Sequence, residues 1–452
     1  MHDLAFVGFL VLLLATGFRR PFMFVLGYIY IDIVSPQRLT YMLLNSVPIS
    51  LIAFALTVGG WMVMDDKSDA RVAPRQGLIL LLLGYCYATT IHADFPIDAL
   101  DKWSWVWKAL AFSAFLPLLL RTRLRIESVL LFMVLSASAI IIVGGIKTLF
   151  SGGGYGELNL MVTNNSGLYE GSIISAVAIA IIPIILWFSK HGTVFASDLY
   201  TKLFCYALVF ACLLIPVGTS ARTGLVCAAL LAVMAIREVK RKMLYIGLLG
   251  AAGLVAVPFL PSAFSERMGT IKTYQADSSA STRIAVWKWT IDYASHNPFG
   301  GGFEAYRQNH IRYDTVKVAG SGANAVVSRD LQVDKARAYH SAYFEMLGEQ
   351  GYPGLAIWLI IHLGGIFRME MVRRRYIKST GDDAWIAPLA SALQQGHILY
   401  LVGAAFVGIA FQPFVWMLVS VQIGLDTYLA RKRAAARWRP MRKTKPEVAH
   451  AA

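Results

Sequence analysis

Uncharged apolar runs, broken by short polar clusters, recur along the chain; Gly171 to Ser189, Met243 to Ser265 and Ala384 to Leu425 are the clearest. A bilayer core takes roughly 20 helical residues, so the first two runs each predict one membrane span. The 42 residues of 384–425 are too long for one pass and predict two, with a turn at Gln412-Pro413. The whole pattern predicts an all-α, polytopic membrane protein of 12 to 13 transmembrane helices, centred near 10, 27, 53, 84, 112, 137, 180, 210, 228, 252, 358, 395 and 419. The first two spans are short and flank Arg19-Arg20, so they read as a hairpin or as one irregular element.

Five regions follow: N-terminal transmembrane helices over 1–150, central ones over 151–260, an extramembrane helical loop over 261–341, C-terminal helices over 342–430, and a basic tail over 431–452. The first apolar run starts at Leu4 with no basic leader and no small-residue cleavage site, so no cleavable signal is expected. Cys86, Cys205, Cys212 and Cys227 all fall in predicted spans and read as small apolar packing residues, not a disulfide framework.

Composition agrees, with 57% hydrophobic and 15% charged residues. The net charge of +15 would suggest nucleic acid, but its placement argues for topology. Arg121 to Arg125, Arg237 to Lys242, Arg368 to Lys378 and Arg431 to Glu447 together carry +17, and all fall on one side if spans alternate. That side is expected to be cytoplasmic, and no nucleic-acid partner is expected, because no basic segment is interleaved with an aromatic platform. The opposite face then receives His92 to Lys102, Ser151 to Glu170, Gly218 to Arg222 and the insert from Pro261 to His340, about 80 residues that suit a small helical cap.

Candidate chemistry gathers on that face. The uncharged run after Arg222 is only 14 residues, so its span is expected to begin at or before Gly218, placing Arg222 about one turn inside the boundary. An arginine there either snorkels to headgroups or meets an anion, and the small residues around Ser220 leave room for a ligand. In the insert, Ser281 or Thr282 can cap a helix on which Arg283 and Trp287 share a face, a favourable setting for phosphate oxygens. The bland alternative is a surface amphipathic helix. That helix should stop at Asn297-Pro298, with Gly300 to Gly302 allowing a tight turn; no strand precedes these glycines, so they are no nucleotide loop.

His340, boxed by Tyr339, Ser341 and Tyr343, directly precedes the helix returning to the membrane, where it could take a proton from a sugar hydroxyl. His310 is a weaker second candidate, and His362 and His397 fall within spans as hydrogen-bonded packing residues. Asp94, Asp98 and Asp101 could line one helical face, where a divalent ion is conceivable, with solvated interfacial carboxylates the plainer reading. No metal motif is present, and neither a metal nor another cofactor is expected.

Ser220-Ala221-Arg222-Thr223-Gly224, the Arg283 to Trp287 helix followed by Pro298 to Gly302, and Tyr339-His340-Ser341 leading to Glu349-Gln350-Gly351-Tyr352-Pro353-Gly354 together resemble the O-antigen ligase and polymerase superfamily, over roughly residues 160–420. Arg19-Arg20-Pro21-Phe22 and Ser35 to Thr40 resemble more narrowly the exosortase-associated O-glycosylation ligases. Asn164-Asn165-Ser166 matches the family's Asn-rich segment only loosely and carries no assigned role.

The resemblance implies a GT-C-like, metal-independent, inverting glycosyltransferase of the bacterial inner membrane. It would move a glycan from undecaprenyl pyrophosphate to a lipid A core sugar on the periplasmic side. Arg222 and Arg283 would bind the pyrophosphate, His340 would be the catalytic base, and Ser220, Trp287, Tyr339 and His310 would contact substrate. Besides donor, acceptor and membrane lipid, no further partner is implied. A polymerase, a protein O-oligosaccharyltransferase and, in a different class, a lipid-linked glycan transporter stand as alternatives.

Overall fold

A computed structural model of the protein describes residues 2–40, 43–44, 46–67, 70–151, 167–238, 278–319 and 326–437. The predicted span near 252, Asn164 to Ser166 and most of the basic tail lie outside the described residues.

The chain forms helices α1 (His2–Gly17), α2 (Phe22–Val34), α3 (Pro36–Leu39), α4 (Ile49–Met64), α5 (Pro74–Ile91), α6 (Pro96–Leu119), α7 (Arg123–Ser151), α8 (Gly171–His191), α9 (Leu199–Gly218), α10 (Arg222–Glu238), α11 (Ser278–His296), α12 (Ala342–Tyr376), α13 (Ile386–Ala404) and α14 (Pro413–Arg437). Among the described residues, five of them are long and apolar enough to cross a membrane: α7, α8, α9, α12 and α14. Four shorter apolar helices, α1, α2, α4 and α10, accompany them. This is a helical membrane protein, but the five do not by themselves make the expected 12 to 13 spans.

The insert departs from the expected helical cap. After α11 it forms an antiparallel hairpin of β1 (His310–Ala319) and β2 (Val326–Lys335), in register His310↔Lys335 through Ala319↔Val326. Both strand sequences contain several β-branched residues, and the six residues between them include Gly320-Ser321-Gly322, a hairpin signal. Helix α11 also starts at Ser278, so Ser281 and Thr282 lie within it instead of capping it, and Thr282 is buried.

Helix α8 is the most enclosed of the candidate spans, with 83% of its apolar window buried. Small residues bring its neighbours close: a Cβ on Gly396 of α13 would sit 2.6 Å from the Ala180 carbonyl, and one on Gly224 of α10 would sit 2.7 Å from Ser175 Cβ. Without lipid-excluding hydrophobic force inside a bilayer, such close packing and a few buried polar links hold the bundle. Ser113 of α6 donates to the Trp416 carbonyl of α14 (2.9 Å). His362 of α12 meets His397 of α13 at 2.8 Å, and Gln422 of α14 donates to His397 at 3.0 Å. The four cysteines are buried and free.

The basic loops gather at one end, where Arg125 grips Asp65 in a bidentate pair (2.7 and 2.9 Å), Arg121 pairs with Asp66 (3.0 Å) and Lys432 pairs with Asp383. The insert occupies the other end.

There, α12 is interrupted. Gly351 adopts φ 64°, ψ −168°, and Pro353 follows. Pro353 has no N–H for the Glu349 carbonyl, and the Tyr352 N–H points away to the Pro298 carbonyl (2.9 Å). The stranded Gly348 and Glu349 carbonyls accept instead from Gly301 N (3.1 Å) and Gly302 N (2.9 Å). The Pro298–Gly302 turn thus completes the helix it docks on. Only glycine fits: a Cβ at Gly351 would stand 2.2 Å from the Pro298 oxygen. Gly351→Ala is expected to lower stability by about 1–3 kcal/mol from backbone strain alone. Gly364, with nothing within 4 Å, serves as control: Gly364→Ala should leave the melting temperature in detergent unchanged or raised.

Candidate functional site

Trp287 ties the insert helix to the corner before α12. Its Nε1 donates to the Tyr339 carbonyl (2.9 Å), and its ring stacks on Phe344 at 4.9 Å with planes 7° apart. Arg283, four residues earlier on the same face of α11, is thereby carried to His340. Although His340 is exposed overall, packing around its ring and the nearby Arg283 and Arg337 guanidinium groups hold its pKa below the ordinary histidine value. His340 has φ 50°, a left-handed conformation that turns the chain sharply into α12. Tyr339 is 3% exposed and meets Tyr306 edge-on at 5.6 Å.

Arg222 sits at the first position of α10, after α9 ends at Gly218. The expectation that its span begins at or before Gly218 is corrected: Thr219 to Ala221 make a turn, with Ser220 at φ 50°, so Arg222 lies at the helix edge and not a turn inside. Thr219 Oγ1 meets Ser175 Oγ at 2.8 Å, seating this turn on α8. Ser220 is buried, and its hydroxyl finds no hydrogen-bond partner among the described residues. One turn on, Cys227 Sγ reaches the Leu399 carbonyl of α13 (3.4 Å), while the Tyr343 hydroxyl donates to the Leu401 carbonyl (3.1 Å). Helix α10, through Cys227, and the start of α12, through Tyr343, therefore meet the same end of α13. His310 does not join this group: it starts β1, is exposed, and its Nδ1 bonds the Gln308 carbonyl (3.1 Å).

Sequence reasoning missed a second cluster at this end. Lys102 of α6 contacts Glu345 at 2.7 Å and Glu349 at 2.8 Å, both on α12 and both buried. Glu345 also accepts from Ala410 N (3.1 Å), and Glu349 from Glu304 N (3.1 Å). A buried charge persists only when paired and hydrogen-bonded, which is what this triad supplies. The one available signal was the pair of Glu at i, i+4 opening an otherwise apolar span. Asp94 accepts from Tyr293 (2.5 Å) and Gln308 (2.7 Å), and Asp98 pairs with Arg307 (3.1 Å), so these two carboxylates have protein partners. Among the described residues no His, Cys, Asp and Glu group has the arrangement of a metal site.

Residues 207–359, which hold Arg222, Arg283, His340 and the Gly351 break, match the family model described as O-Antigen ligase. Residues 1–193 match a family of unknown function. No curated protein matches the chain. Fold and match together describe a helical membrane protein whose residues 207–359 are similar to the O-antigen ligase family.

Lys102→Met should cost about 3–5 kcal/mol, because it leaves two buried carboxylates without their cation. Thermal unfolding in detergent checks this, and Glu345→Gln combined with Lys102→Met should recover part of the loss. For His340, the folded state disfavours the imidazolium, so its contribution to stability is full above the unfolded pKa of about 6.5 and declines as pH falls below it. Histidine NMR titration should place its midpoint below that value, and Arg283→Gln should move it upward.

Proposed function

We propose that the protein is an O-antigen ligase: an inverting glycosyltransferase that moves a glycan from a polyprenyl pyrophosphate, in bacteria undecaprenyl pyrophosphate, to a lipid A core sugar at the periplasmic face of the inner membrane. The observation that carries this reading is the corner at which Trp287 latches Arg283 beside His340, inside the segment that matches the ligase family.

Breaking the bond between the anomeric carbon and the phosphate oxygen develops charge on the leaving pyrophosphate. Arginines meet such charge with bidentate, charge-assisted hydrogen bonds, and Arg222 and Arg283 are assigned that task. The acceptor hydroxyl attacks the opposite face of the sugar, and its proton passes to His340, whose lowered pKa keeps the imidazole neutral and able to accept it at neutral pH. Backside attack inverts the anomeric centre. Ser220, Trp287 and Tyr339 are assigned to substrate contact or to holding the cationic groups; the His310 geometry lends it no support.

His340→Ala, Arg222→Ala and Arg283→Ala should each reduce transfer by at least about 100-fold, the usual size of a general-base or oxyanion-stabilising contribution, with folding intact. Transfer by purified protein from lipid-linked glycan to lipid A core, without ATP or ion gradient, is the measurement. Normal product from His340→Ala removes it from the base role. In a deletion strain, loss of all long bands from lipid A marks a ligase, whereas a single capped repeat marks a polymerase. Inhibition by a chelator would overturn the metal-independent mechanism.

A further inference from the structure

A cavity of about 320 Å³ opens at the insert end between α6, α12 and the 408–412 loop. Its walls include Asp101, Lys102, Trp105, Glu304, Glu345 and Phe411. Its size is at the lower end of small-molecule sites, which run from about 300 to 1,000 Å³. Asp98 and Arg307 complete its charged rim, so four carboxylates face two cations. Both cations are already committed, Lys102 to Glu345 and Glu349 (2.7 and 2.8 Å) and Arg307 to Asp98 and Glu304 (3.1 and 3.3 Å). An anion entering here meets uncompensated negative charge. A neutral, hydroxyl-rich molecule meets acceptors for its O–H groups, in the charge-assisted geometry that makes such bonds strong. Trp105, 39% exposed, offers an apolar ring face in the same space. Behind the wall, the buried Tyr339 hydroxyl has no hydrogen-bond partner among the described residues and stands in the field of Glu349, Glu345 and Glu304.

We propose that this cavity is a saccharide subsite that binds an uncharged sugar ring through hydroxyl-to-carboxylate hydrogen bonds and aromatic stacking, apart from the arginine and histidine group assigned to the diphosphate. It rests on the glycosyl-transfer reading for its place in a reaction, and both donor and acceptor carry such sugars.

The test uses the full chain in lipid nanodiscs and isothermal titration with two probes: the glycan freed by mild acid from the host's lipid carrier, and the dephosphorylated sugar freed from its envelope acceptor. At least one should bind saturably, Asp101→Asn should weaken it about tenfold through the loss of one charge-assisted hydrogen bond, Trp105→Ala should weaken it about tenfold through the loss of the stacking face, and inorganic pyrophosphate should not displace it. In the transfer assay, Asp101→Asn should raise KM about tenfold for one substrate, and which substrate responds identifies the sugar's source. Failure of both probes to bind, binding indifferent to both variants, or displacement by pyrophosphate overturns the proposal. Sugar binding that responds to the variants in a protein that transfers nothing sinks the ligase reading and leaves the subsite standing; transfer with no sugar binding does the reverse.

Discussion

A membrane helix that contains a proline and a glycine with a positive φ has carbonyls that no water can satisfy, and how that deficit is met organises the insert end of this protein. The Gly348 and Glu349 carbonyls take their hydrogen bonds from Gly301 and Gly302, and the Tyr352 N–H returns one to Pro298. Both partners need glycine, because backbone lies against backbone with no room for a side chain. The insert is thereby registered to α12 by main-chain bonds. A second fixing by Trp287 sets the angle of α11 over the same helix.

Beneath this joint, burial of Lys102 with two glutamates draws α6 against α12, and Glu345 extends the link to the Ala410 amide. The Trp358 and Trp416 indoles both donate to the Ala410 carbonyl (3.2 and 3.1 Å), so the 405–412 connection is held from both of its faces. Such a polar knot is weak as a source of net stability, since desolvation offsets much of the attraction. Its effect is to specify one arrangement of these elements. The cationic group around Arg283 and His340 and the acidic cavity around Asp101 lie on the same end, and their opposite electrostatics follow from which residues each element brings.

Much of this was legible in the sequence. Apolar run lengths give helices, and the end of α11 at His296 follows from Asn297-Pro298. The pairing of Pro298 to Gly302 with Glu349 to Gly354 was visible as two motifs but not as one interaction, because main-chain exchange between segments 50 residues apart leaves no periodic trace. The hairpin was hidden for a different reason: its strands are charged at many positions and show no clean alternation over 310–319. The Arg222 position was misjudged by arithmetic that counted the span back past Arg222, whereas the 219–221 turn separates α9 from α10 and α10 begins at Arg222. Lys102 gave no motif at all, since a lysine near a predicted boundary reads as solvated until its partners are known.

Some of the contacts at this end cross between the two regions that match separate families. Lys102 lies in the stretch of unknown function and Glu345 and Glu349 in the ligase stretch; Ser175 and Gly224 divide the same way. Neither stretch therefore carries a finished interior of its own. A substitution in one alters the fit required of the other, so the two can drift only in concert, and a recombination event that swapped one without its counterpart would deliver a mismatched seam to the descendant.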